Sequence, residues 1–62
     1  MGYVSAGELE IGMETAEGFI AEVVSVDDVK TYVYVVADED SLTDTDAFVL
    51  YDFRSDELLE VF

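Results

Sequence analysis

The chain has 62 residues, with 16 Asp and Glu against two Lys and Arg, a formal charge of -14, and 52% hydrophobic residues. It contains no Cys, no His and no Pro. This leaves room for one small domain, residues 1-62, and excludes a disulfide framework, a thiolate nucleophile, an imidazole base and a Cys/His zinc cage.

Period-two patterning dominates the chain and points to strands. Glu8-Leu9-Glu10-Ile11-Gly12-Met13-Glu14 alternates cleanly, which predicts a first strand with Leu9, Ile11 and Met13 on its apolar side. Thr15-Ala16-Glu17-Gly18 reads as a turn, with Gly18 supplying a left-handed position at the entry to the next strand. Phe19 to Val26 is rich in β-branched residues and predicts a second strand. Asp27-Asp28 makes a short turn, and Val29 to Ala37 a third strand. Asp38 to Asp46 is a polar loop, and Ala47 to Phe53 a fourth strand. Ser55 can cap a single turn over Asp56-Glu57-Leu58, after which Leu59 to Phe62 returns as the last strand.

Five strands with short connections must close on themselves to bury a core, so an all-β, five-stranded small barrel with one short 3-10 turn before the last strand is expected. An OB-like barrel is the alternative. In Leu9-x-Ile11-Gly12-Met13, in Gly18-x-Ile20-x-x-Val23 and in the turn carrying Leu58 before Leu59-Glu60-Val61, the chain resembles the SH3-like small β-barrels. Its rhythm is similar to PRC-barrel and chromatin-barrel sequences. The spacing from the first leucine to its glycine departs from the PRC-barrel pattern, and no specific family is assigned.

The hairpin around Asp27-Asp28 carries apolar residues on both faces. A two-residue loop would set Val26 opposite Val29, Val24 opposite Thr31 and Ile20 opposite Val35. Phe19, Ala21, Val23, Tyr32, Tyr34 and Val36 then share one face, and Ile20, Glu22, Val24, Val26, Val29, Val33 and Val35 the other. A barrel buries only the inside of each strand, and a contiguous apolar patch outside it marks a contact surface. Tyr32, Tyr34, Phe48, Leu50 and Tyr51 are therefore the expected interaction surface, for a homodimer or another protein partner.

The acidity admits two readings. The excess of Asp, Glu, Val and Thr over basic residues resembles the composition of cytoplasmic proteins of salt-accumulating archaea, which implies a domain comfortable where salt screens its charge. The rival reading is a nucleic-acid mimic that inhibits a DNA- or RNA-binding protein, with Glu8, Glu10 and Glu14 on one side of an extended segment, spaced about 6.8 Å apart. No charge-free run approaches the roughly 20 residues of a spanning helix, and Met1 to Ser5 lacks the regions of a signal peptide. A cytoplasmic protein away from membranes is expected.

Motifs for catalysis are weak. Asp38, Asp40, Asp44 and Asp46 could gather a diffuse cation atmosphere, but the loop has no glycine, and Leu42 stands where an EF-hand would want a ligand. The serines and threonines have no histidine partner, glycine-rich phosphate loops are missing, and so small a barrel has little room for a cleft of even about 300 Å³. Lys30 and Arg54 are the only residues able to meet phosphates, so autonomous nucleic-acid binding is disfavoured. The expectation is a small acidic interaction or assembly module with no intrinsic catalysis and no cofactor.

Overall fold

A computed structural model describes residues 2-62. The strands are β1 (Gly2–Ser5), β2 (Glu14–Thr15), β3 (Gly18–Ser25), β4 (Lys30–Val36), β5 (Val49–Arg54) and β6 (Leu58–Val61), with 3-10 turns at Ala6–Glu8, Glu39–Ser41 and Thr45–Ala47. They form one six-stranded sheet in the order β1-β6-β2-β3-β4-β5, in which every pairing is antiparallel.

The sheet is open. Among the described residues β1 and β5 are its two edges and do not pair with each other, so this is neither the expected five-stranded SH3-like barrel nor an OB-like one. The physical reason lies in the first fifteen residues. Strand β1 pairs with β6 in the register Val4↔Leu59, and the chain then leaves the sheet through the 3-10 turn Ala6–Glu8. Ala6 and Leu9 are buried in the same cluster as Ile20, Val33, Val35 and Leu59, with Val4, Met13, Val23, Tyr51, Phe53 and Val61 packed against it. The turn and Leu9 thus cover the core from the side that closure would have sealed.

The clean alternation from Glu8 to Glu14 does not form a strand. The Met13 N–H donates to the Glu10 carbonyl at 3.2 Å and the Gly12 N–H to the Ile20 carbonyl at 2.8 Å, with Gly12 at φ +95°. This tight turn leaves Ile11 68% exposed, and only Glu14 and Thr15 join the sheet. Glu8, in the 3-10 turn, and Glu10, in the loop, lose the regular spacing of a strand. The 3-10 turn expected before the last strand is instead a hydrogen-bonded turn, closed by the Glu57 N–H on the Arg54 carbonyl at 2.9 Å.

The β3–β4 hairpin keeps the expected pair Ile20↔Val35, then shifts register between Ile20 and Glu22. A bulge at Ala21 inserts one extra residue, so toward the turn the pairs become Val23↔Val33, Val24↔Tyr32 and Ser25↔Thr31. The turn is longer than two residues. The Asp27 carboxylate accepts the N–H groups of Val29 and Lys30, both at 2.8 Å, and the Val26 N–H donates to the Lys30 carbonyl at 3.1 Å. Because a one-residue shift exchanges faces, Val23 joins Val33 on the core side while Glu22 and Val24 turn outward.

Gly18 holds the positive φ expected of it, +136°. A Cβ there would come within 2.5 Å of the Val36 carbonyl oxygen, so the close approach of β3 to β4 needs a residue without one.

Candidate functional site

The face of β3, β4 and β5 away from the core cluster is built of cross-strand rows. Glu22 lies opposite Tyr34 and Tyr34 opposite Leu50; Val24 lies opposite Tyr32 and Tyr32 opposite Asp52; Lys30 lies opposite Arg54. Val24 is 41% exposed and Leu50 52%, whereas Tyr32 and Tyr34 are half-buried. The turns Glu39–Ser41 and Thr45–Ala47 bring the half-buried Phe48 back so that its ring centroid lies 5.9 Å from that of Tyr34. Tyr32, Tyr34, Phe48 and Leu50 are therefore brought together.

Tyr51 is placed elsewhere. It pairs with Val33, so it points to the core side, where it packs against the buried cluster and stacks on Phe53 at 5.8 Å.

This outer face holds both basic residues of the chain. Lys30 Nζ lies 3.3 Å from Asp52 Oδ2 and 5.8 Å from the centre of the Tyr32 ring, and Arg54 Nε lies 3.3 Å from Asp56 Oδ1. The hydrogen bond to Asp52 raises the Lys30 ammonium above its ordinary value. Lys30 and Arg54 offset Glu22 and Asp52, so this one face is nearly neutral within a strongly acidic molecule.

A second feature lies at the other end of the hairpin, where an open depression of about 500 Å³ is lined by Ser25 and Ser55 together with the carboxylates of Glu8, Asp27, Asp28 and Asp56. The chain thus has more room than the small-barrel expectation allowed. A run of hydroxyls leads into it: Ser25 Oγ lies 3.3 Å from Thr31 Oγ1, Thr31 Oγ1 2.7 Å from Ser55 Oγ, and Ser55 donates to the Asp27 carbonyl at 2.9 Å. Ser55 Oγ donates to that carbonyl, and the four carboxylates around the depression give it a negative field. Sequence reasoning missed it; the small polar residues Ser25 and Thr31 inside otherwise apolar strands were its available signal.

The acidic loop also differs from a ligand cradle. Asp44 accepts the Asp46 N–H at 3.2 Å and so caps its own 3-10 turn. Among the described residues, no three His, Cys, Asp or Glu side chains are grouped to hold a metal ion, Asp38, Asp40, Asp44 and Asp46 included. Nor, among them, is any helix long and apolar enough to cross a membrane.

No family model, curated protein or solved structure matches this chain. The resemblance to SH3-like barrels, already at odds with the open sheet, gains no support from them, and the compositional likeness to archaeal proteins gains none either.

Proposed function

We propose that this chain is a small acidic interaction module, without catalysis of its own, that associates with a protein through the outer flank of β4 and β5. The observation that supports it is the coincidence of exposed Val24 and Leu50 with Tyr32, Tyr34 and Phe48 on the face that holds both cations. Contiguous apolar surface costs free energy in water and is relieved by association. Elsewhere the carboxylates repel partners of like sign. On this reading the nearly neutral face is where like-charged molecules approach at least electrostatic cost.

The test is molar mass in solution at about 1 M KCl, where the Debye length falls to about 3 Å. The wild-type chain self-associates, and Leu50→Asp abolishes association while the strand circular dichroism persists. A wild type that stays monomeric at high micromolar concentration contradicts the reading.

A further inference from the structure

We propose that β5 is a docking edge for a second copy of itself, two chains joining their sheets antiparallel about a two-fold axis through Tyr51. This rests on the association proposed above and specifies its partner and geometry. The Ser55 N–H donates to the Val29 carbonyl at 2.8 Å, in continuous register with Lys30↔Arg54. In an antiparallel ladder, bonded and non-bonded pairs alternate. Val49, Tyr51 and Phe53 therefore bond to β4, while the amides and carbonyls of Leu50 and Asp52 face away from it. No other strand takes them up among the described residues. The strand has no proline and pairs with β4 without a bulge, and its two charged side chains, Asp52 and Arg54, stand on its outer face.

The strand Val49-Leu50-Tyr51-Asp52-Phe53-Arg54 is complementary to itself in one register. With the axis at Tyr51, Leu50 lies opposite the partner's Asp52, and each exchanges its outward N–H and C=O with the other, so every free group of both residues is used. On the core side Tyr51 meets the partner's Tyr51 and Val49 meets the partner's Phe53, which extends the Tyr51–Phe53 stack into an aromatic row across the join. Moving the axis to Asp52 would set two carboxylates directly opposite, which is unfavourable.

Charge selects this edge and this occupant. On β1, the Ala6 N–H donates to the Glu57 carbonyl at 2.8 Å, which by the same alternation turns Tyr3 and Ser5 outward. That edge lies beside Glu60 and Glu8, whereas both basic residues belong to β4 and β5. A second acidic chain is repelled there and tolerated at β5. A basic partner would gain more at the acid-lined depression than at the face carrying Lys30 and Arg54.

The experiment is amide hydrogen exchange by NMR on the wild-type chain at about 1 M KCl over a range of concentrations, with two variants read by light scattering. The Leu50 and Asp52 amides become protected as concentration rises, and those of Tyr3 and Ser5 do not. Leu50→Lys dimerises at least as tightly as the wild type, because the introduced ammonium faces the partner's Asp52, whereas burial of Leu50 against an apolar face would be lost. Leu50→Pro removes an outward amide and gives a monomer; should it fail to fold, the exchange data and Leu50→Lys decide. A dimer that exchanges freely at Leu50 and Asp52, or that dissociates in Leu50→Lys, overturns the edge geometry and leaves the interaction surface standing. A chain that never self-associates overturns both.

Discussion

Thr31 Oγ1 and Ser55 Oγ lie 2.7 Å apart, although 24 residues separate them in the chain. Thr31 is 0% exposed, and its hydroxyl ties β4 to the turn between β5 and β6. Thr31→Val keeps the shape and removes one hydrogen-bonding group, while Ser55 retains the Asp27 carbonyl, so the expected cost is about 1 kcal/mol. Ser55→Ala leaves the buried Thr31 hydroxyl only the 3.3 Å contact to Ser25 and strips the Asp27 carbonyl of its donor, so it costs more. Denaturant midpoints give the order; Thr31→Val as the more damaging change would refute the staple.

The two glycines at positive φ separate strain from collision. Gly12, at φ +95°, has open space where a Cβ would go, so Gly12→Ala costs only the backbone strain, about 1 kcal/mol. At Gly18 a Cβ would also meet the Val36 carbonyl oxygen at 2.5 Å and Val35 Cγ1 at 2.8 Å, both in β4. Gly18→Ala is expected to cost at least about 2 kcal/mol and to push β3 from β4. Equal melting temperatures for the two variants would contradict this.

Asp27 organises the hairpin turn through its charge. The N–H groups of Lys30 and Val29 hold its carboxyl below the ordinary value of 3.8. A depressed carboxyl stabilises the fold above the unfolded value, and that contribution is lost as pH falls through the lowered folded value. Lys30 runs the other way: its ammonium, raised by Asp52, contributes below its ordinary value of 10.5 and loses that contribution as pH rises through the folded value. Both groups are exposed, so each effect is small. NMR titration should show the Asp27 carboxyl ionising below its ordinary value of 3.8, with the Val29 and Lys30 amides following it; a midpoint at or above that value would count against the turn clamp.

The formal charge of -14 on so small a surface makes salt a stabiliser. Raising KCl from about 0.1 M to about 1 M shortens the Debye length from about 10 Å to about 3 Å and screens most repulsion between exposed carboxylates. The melting temperature should climb over that range, and a flat or falling curve in calorimetry would show that the acids are spaced too widely to matter.

Strands β3, β4, β5 and β6 were legible because their alternation and β-branched content coincide with real pairing, and Ile20↔Val35 was read in the right register. Two features were not. Glu8 to Glu14 has the period of a strand, but Gly12 permits a positive φ that folds Glu10 to Met13 into a turn, and periodicity carries no record of φ. Gly2 to Ser5 is too short and too mixed to announce itself, yet it gains its partner in β6, far along the chain. Closure was misjudged for that reason: with β1 added and the turn at Ala6 and Leu9 covering the core, the edges stay apart. At the interaction surface, Tyr32, Tyr34, Phe48 and Leu50 could be grouped by alternation and proximity to the loop, whereas Tyr51 belongs to the opposite parity and stands on the core side.

Association is tested most directly by the molar mass of the wild-type chain, measured by light scattering across rising concentration at about 1 M KCl. The account predicts a mass climbing from 6.9 kDa toward twice that value and then levelling. A mass that stays at 6.9 kDa throughout would contradict it.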